Sequence, residues 1–168
     1  LFKISALIGY EKDSPDMALA GLKALIDYNG HSHPKWEYPE VDAGEDLFPS
    51  VMQEYCHAFF KIGTPHCFEA FKELSEKMLA YYPGNTVYMT NIGSYYLVYK
   101  HDSKAALKMY NKVLKKSPDD YTAIKNCVLL ARNDKNTKLE KKYLPMLVRV
   151  TTDETEKLSA QARLDALK

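Results

Sequence analysis

Apolar side chains recur every three to four residues along most of the chain, which is the spacing of amphipathic α-helices. In SPDMALAGLKALIDYNG, Ser14 is a candidate N-cap, Pro15 takes the first helical position and Asn29-Gly30 closes the pattern. Similar start and stop signals predict helices over about 50–62, 65–82, 86–100, 103–116, 120–132, 136–150 and from Asp153 onward. Pro145 lies inside one of these helices and is expected to kink or split it. The pattern predicts an all-α protein.

Residues 31–49, HSHPKWEYPEVDAGEDLFP, break the helical pattern with three prolines and no sustained periodicity. We expect a long irregular loop, and loops of this length often carry function. Trp36 and Tyr38 either anchor this loop on the helices or line a ligand surface. His31 and His33, which several carboxylates follow, either ligate a metal or belong to a polar surface.

The helical region repeats itself with a period of 35 to 37 residues. Four residues of one helix recur 37 positions later: Met52, Tyr55, Cys56 and Phe59 become Met89, Ile92, Gly93 and Tyr96. Two residues of the following helix and the proline after it recur 35 positions later: Ser75, Met78 and Pro83 become Tyr110, Val113 and Pro118. A fixed period of this length is typical of repeat proteins built from pairs of helices.

Residues 88–120, YMTNIGSYYLVYKHDSKAALKMYNKVLKKSPDD, carry the best unit. Its first helix has an apolar residue, a glycine and a tyrosine at Ile92, Gly93 and Tyr96. Its second helix has a small residue at Ala106 and an aromatic residue at Tyr110, and Pro118 follows that helix. This unit resembles the tetratricopeptide repeat (TPR) family. The resemblance implies a right-handed solenoid of antiparallel helical hairpins, because one hairpin cannot bury its apolar face alone.

The resemblance implies a linear organisation of the chain. In order, we expect a divergent first hairpin (1–30), the irregular loop (31–49), a TPR-like repeat (50–83), the best repeat (84–119), a degenerate repeat (120–150) and a C-terminal capping helix (151–168). The chain starts with Leu1 rather than Met and is expected to be a processed or truncated product, so its compartment stays open.

The family binds peptides or partner proteins in a concave groove lined by the first helix of each pair. The register carries this role over to Gln53, His57, Phe60 and Lys61, to Thr90, Ser94, Leu97 and Val98, and to Lys125, Leu129 and Arg132. Some members clamp a C-terminal carboxylate with Lys and Asn, and Lys125-Asn126 is suggestive. The matching positions of the preceding unit are Thr90 and Ser94, so an apolar or aromatic peptide is the expected ligand.

The same register assigns a run of lysines to the outer, convex face. These are Lys104, Lys108, Lys112, Lys115 and Lys116. Because charged side chains on a helix usually face water, we expect a solvated surface here.

The stretch CHAFFKIGTPHC, residues 56–67, holds two cysteines and two histidines, which are the residue types of a zinc site. If the chain turns at Gly63-Thr64, Cys56 lies about 9 Å below the turn and Cys67 about 3 Å below it, on separate helices. The two thiols are then too far apart for a disulfide or a shared zinc ion. Since Cys56 aligns with Gly93, we expect a buried cysteine in a small-residue position.

Composition narrows the range of functions. The chain has 168 residues, of which 46% are hydrophobic, and a net charge of +1, so no broad basic field for nucleic acid is expected. No apolar run approaches the roughly 18 residues that suggest a membrane span. Three cysteines argue against a disulfide framework. No nucleophile elbow, phosphate loop or dinucleotide fingerprint is present in the sequence.

The sequence therefore favours a non-enzymatic interaction scaffold with no cofactor and no metal, whose partner is a protein or peptide. Two alternatives stay open. The first is a small-ligand or metal-binding protein that uses the loop 31–49, and the second is a helical accessory domain of a larger enzyme or assembly.

Overall fold

A computed structural model describes residues 15–32 and 47–167 of the chain, without the side chains of 28–32. Within these ranges the chain forms eight α-helices and no strand, which confirms the all-α prediction. The helices are α1 (Pro15–Ser32), α2 (Phe48–Ile62), α3 (Pro65–Tyr81), α4 (Thr86–Val98), α5 (Ser103–Lys116), α6 (Tyr121–Asn133), α7 (Thr137–Val150) and α8 (Glu154–Ala166). The chain divides into two compact units, residues 1–91 and 92–168, with the boundary inside α4.

Short polar residues begin most of the helices. An oxygen of the capping side chain accepts the backbone N–H three residues later, and each such cap is worth about 1 kcal/mol. The caps of α3, α5, α6, α7 and α8 are Thr64, Asp102, Asp120, Asn136 and Asp153, with distances between 2.8 and 3.3 Å. Gly63 ends α2 in the left-handed conformation, φ 73°, which only glycine adopts without steric cost.

Most helix ends lie within two residues of the sequence prediction, and the ends of α1 and α2 that flank the predicted loop both extend into it. Helix α1 continues through Gly30 to Ser32, and α2 begins at Phe48 rather than after a cap at Ser50. The earlier start of α2 follows from the burial of Phe48 and from a backbone hydrogen bond of 3.0 Å between Val51 N and Leu47 O. Residues 31, 32, 48 and 49, which were predicted to belong to the irregular loop, are therefore helical. Residues 1–14, assigned to the first hairpin, and residues 33–46 lie outside the described residues.

Helix α7 runs without interruption through Pro145, so the proline does not split it. Proline removes the hydrogen bond that residue 145 would donate to the carbonyl of Lys141. Both residues lie on the exposed side of the helix, where water can satisfy that carbonyl.

In the first unit, α1 and α2 both pack against α3. The fully buried side chains include Leu22 and Ile26 of α1, Met52 and Phe59 of α2, and Leu74 and Met78 of α3. Burying each of them contributes about 1.5–3 kcal/mol. Met17 of α1 is apolar as well, but its side chain is 67% exposed. A single exposed apolar side chain is ordinary on a protein surface.

In the second unit, α6 packs against both α5 and α7, and α7 packs against α8. Its core contains Ala106 and Tyr110 of α5, Ile124 of α6, and Leu144 and Leu147 of α7. Tyr143 donates a hydrogen bond of 2.8 Å to Asn111, which ties α7 to α5. Helices α5, α6 and α7 therefore share one core.

Candidate interaction surface

A cleft in the second unit brings together three of the residues that the repeat register assigned to a groove. We call it the α6–α8 cleft. It has a volume of about 170 Å³ and is lined by Lys125, Asn126, Val128, Leu129 and Arg132 of α6, Leu147 of α7, and Glu156, Ser159 and Ala160 of α8. Lys125, Leu129 and Arg132 share one face of α6 because they follow each other at four and three residues.

The middle of the α6–α8 cleft is apolar. Val128, Leu147 and Ala160 are buried at its base, whereas Leu129 leaves 47% of its surface exposed. Leu129 therefore offers an uncovered apolar contact inside a concave site.

A hydrogen-bond cluster surrounds Lys125 at one side of the cleft. The Lys125 ammonium donates to Glu156 Oε1 at 2.9 Å and to the Tyr121 hydroxyl at 2.8 Å. Tyr121 and Thr151 in turn donate to Glu156 Oε2, at 2.9 and 2.6 Å. Burial alone raises the pKa of Glu156, but the hydrogen bonds from Thr151, Lys125 and Tyr121 outweigh it and leave that pKa below its usual value.

A second cluster surrounds Arg132. Its Nε donates to Oε1 of Glu140 at 2.9 Å. Arg163 of α8 donates to both carboxylate oxygens of Glu140, at 3.0 and 2.9 Å. The Glu140 side chain is only 2% exposed, and the hydrogen bonds from Arg163 and then Arg132 lower its pKa in spite of the burial. This carboxylate links α6, α7 and α8.

Both cations of the α6–α8 cleft thus already bind carboxylates of the protein itself. A clamp that uses Lys125 for the C-terminal carboxylate of a ligand would compete with Glu156. The sequence reading missed Glu140, Glu156 and Arg163. A signal existed for Glu140, because it stands in the apolar stripe of α7 with Leu144 and Leu147, and a buried carboxylate needs a cationic partner.

In the first unit, three of the predicted groove residues lie together on α2. His57, Phe60 and Lys61 line a depression of about 640 Å³ together with Glu54 and Ala58. The Phe60 ring contacts the rings of Phe68 and Phe71 on α3, with centroids 5.5 and 4.9 Å away. We call this the α2 surface.

The remaining groove candidates are mostly engaged within the protein. Gln53 exchanges hydrogen bonds with Asn91, at 2.7 and 3.2 Å. Ser94 is 3.4 Å from the Tyr110 hydroxyl, and Thr90 and Leu97 are buried. Val98 alone among these is an exposed large apolar residue.

The expectation of a buried Cys56 is confirmed. Cys56 and Cys67 are fully buried free thiols, and Cys56 Sγ lies 3.7 Å from Ser75 Oγ. Burial raises the pKa of Cys56 to about 12, in spite of this contact. His57 is exposed, which its predicted place in a binding groove requires. His66 is exposed as well.

The described part of the chain has no group of three or more His, Cys, Asp and Glu side chains that could hold a metal ion. His33, Trp36 and Tyr38, and the side chain of His31, lie outside the described residues. None of the helices in the described ranges has the length and apolar character needed to cross a membrane.

No protein-family model and no curated protein matches this chain.

Proposed function

We propose that this chain is a non-enzymatic scaffold of TPR-like helical hairpins in which the α6–α8 cleft holds a side chain of a partner protein or peptide. The solenoid and its antiparallel hairpins are part of the proposal. Support comes from the 35-to-37-residue repeat and from the packing of α2 with α3, and of α5, α6 and α7 in turn, within their units.

The half-exposed Leu129 in the α6–α8 cleft is the observation that carries this proposal. An apolar side chain in a concave site, bordered by charged groups, has the composition of the centre and rim of a protein interface. Lys125 and Arg132 beside it are already paired with Glu156 and Glu140. The side chain of the cleft that a partner can contact without breaking an ion pair is therefore the apolar Leu129. This favours an apolar or aromatic side chain of the partner.

The size of the α6–α8 cleft also favours a side chain over a cofactor. Its volume of about 170 Å³ is smaller than the roughly 300–1,000 Å³ of small-molecule sites. One large apolar side chain fills a space of this size, and neighbouring surface would contact the rest of the peptide.

The test is to select peptides from a random displayed library on the full chain and to measure their affinities by fluorescence anisotropy. Leu129→Ser should weaken the selected peptides about tenfold or more, as expected for loss of a central apolar contact. Leu158→Ser is the matched control, since Leu158 of α8 is 69% exposed and does not line the cleft. Its effect should stay within about twofold, because contacts outside an interface contribute little.

Two results would contradict the proposal. One is a library that yields no peptide above background. The other is a set of peptides whose affinity is the same for wild type and Leu129→Ser, which would mean that binding uses another surface, such as the α2 surface.

A further inference from the structure

Helix α5 concentrates positive charge to a degree that the rest of the chain does not. It has five lysines and no acidic residue among 14 positions, whereas the whole chain has a net charge of only +1. Lysines four residues apart repel each other and weaken a helix. Lys115 and Lys116 lie in the last turn, where a cation favours the helix dipole, but the repulsion along Lys104, Lys108 and Lys112 costs helix stability.

Four of these lysines form a continuous row. Lys104, Lys108, Lys112 and Lys115, which we call the α5 lysine stripe, follow each other at four, four and three residues and are all exposed. Together with Leu107 and Asn111 they line a depression of about 490 Å³. At about 1.5 Å per residue the stripe is about 16 Å long.

The fold adds a cation that is distant in sequence. Asn111, in the middle of the stripe, accepts a hydrogen bond of 2.8 Å from the Tyr143 hydroxyl. That hydroxyl accepts one of 3.3 Å from the exposed ammonium of Lys142 on α7. Lys142 therefore lies beside the stripe and widens its positive field.

Carboxylates near the ends of α5 have other partners. Asp102 caps α5 through the N–H of Ala105, and Asp119 pairs with Arg149. Among the described residues, none of the stripe lysines forms an ion pair with an acidic side chain. The positive charge of the stripe is thus available to a partner.

We propose that the α5 lysine stripe, with Lys142, binds an extended acidic segment of a partner protein. Along α5 the steps from Lys104 to Lys108 and from Lys108 to Lys112 are about 6 Å each, and the step to Lys115 is about 4.5 Å. Alternate residues of an extended chain are separated by about 6.6 Å, so a segment with Asp or Glu at every second position matches the row. Charge complementarity, rather than apolar burial, drives the encounter.

The lining argues against the other polyanions. A helix that binds stably at a membrane surface adds inserted apolar side chains to its positive charge, and the lining offers only the half-buried Leu107. Proteins that bind single-stranded nucleic acid stack the bases on aromatic side chains, and the lining has none. A protein segment needs neither feature. This proposal concerns a surface separate from the α6–α8 cleft and is independent of the function proposed above.

The experiment measures binding of a fluorescent Glu-Ser alternating peptide of about ten residues to the full chain at about 50 mM NaCl, where screening is weak. The test variant is Lys108→Gln/Lys112→Gln/Lys115→Gln. The matched control, Lys135→Gln/Lys141→Gln/Lys157→Gln, removes the same charge from solvent-accessible lysines elsewhere in the second unit. A third variant, Lys108→Arg/Lys112→Arg/Lys115→Arg, keeps the charge of the stripe.

We expect the test variant to lose about tenfold in affinity, and the control and arginine variants to stay within about twofold of wild type. A Gln-Ser peptide should not bind. Equal losses in the test and control variants would overturn the proposal, since they would show attraction to net charge alone. It would also be overturned by absence of peptide binding, or by stripe-dependent binding to anionic vesicles or single-stranded RNA that is tighter than binding to the peptide.

Discussion

A side chain at Gly93 would collide with the ring of Tyr110. A Cβ atom at Gly93 would lie 2.6 Å from Tyr110 Cε1 and 2.9 Å from Cδ1. Tyr110 is fully buried and cannot move aside cheaply. At the matching positions of the preceding repeat, Cys56 meets Ser75, 3.7 Å away. On α4 and α5 a large side chain at Tyr110 is thus matched by the absence of a side chain at Gly93.

Gly93→Ala should therefore destabilise the fold by about 1–3 kcal/mol, because overpacking outweighs the roughly 1 kcal/mol by which alanine favours a helix. Urea denaturation measures the change in the free energy of unfolding. Gly21→Ala is the matched control, as this helical glycine of α1 has open space where a Cβ would lie. That variant should gain about 0.5–1 kcal/mol. In a Tyr110→Leu background the cost of Gly93→Ala should largely vanish, and an unchanged cost would rule out the collision with Tyr110 as its cause.

The three thiols should be unreactive in the native protein. Cys56, Cys67 and Cys127 are all buried and free, and burial raises the pKa values of Cys56 and Cys127 to about 12. Since the thiolate is the reactive form, a disulfide reagent such as DTNB should modify these residues at pH 8 only as the protein unfolds. Modification in denaturant provides the full count of three thiols. A thiol that reacts in the native protein within the mixing time would contradict this prediction.

Glu140→Gln should destabilise the second unit by about 1–3 kcal/mol, because it leaves Arg132 and Arg163 without their shared carboxylate and a buried amide in its place. Thermal denaturation measures the loss. Glu154→Gln is the comparison, since Glu154 is exposed and its ammonium partner Lys157 is 3.7 Å away. That change should cost less than about 0.5 kcal/mol. Equal losses of stability from the two substitutions would mean that the buried ion-pair cluster contributes no more than an exposed ion pair.

Stability should fall in acid through Glu140 and Glu156. In the folded protein, hydrogen bonds from Arg163 and Arg132 to Glu140, and from Thr151, Lys125 and Tyr121 to Glu156, hold the pKa values of these carboxyls below the usual range of a glutamate. A carboxylate with a lowered folded pKa stabilises the fold above its unfolded pKa, and this contribution is lost as the pH falls through the folded pKa. The free energy of unfolding should thus decrease as the pH drops below about 4.5. The decrease should be smaller in Glu140→Gln/Glu156→Gln, and an identical acid dependence of the double variant and wild type would refute this assignment.

Much of the helical architecture could be predicted because its determinants are local. Pro15, Thr64-Pro65, Ser117-Pro118 and Asp153 mark helix ends through capping and backbone geometry, and those interactions span only a few residues. The predicted start of α2 at residue 50 was wrong. The burial of Phe48, a tertiary contact, extends the helix toward the N-terminus beyond Ser50. The exposed position of Pro145 likewise decided that α7 continues.

In the α6–α8 cleft, too, some features could be predicted from local sequence and others depended on tertiary packing. The helical register predicted that Lys125, Leu129 and Arg132 share a face of α6, and they line one cleft. It could not predict that α8 forms the opposite wall, or that Thr90 and Leu97 are buried. Those outcomes depend on which helices pack together, and sequence spacing carries no such information.

By itself the sequence determined the all-α class, most of the helix ends, the burial of Cys56 and the row of lysines on α5. Each depends on neighbours within one or two helical turns or on the repeat. Only the tertiary structure decided that Glu156 and Glu140 neutralise Lys125 and Arg132, and that Lys142 joins the α5 lysine stripe. The physical reason is that charges interact through space, so partners on different helices meet only where packing of the apolar faces brings them together.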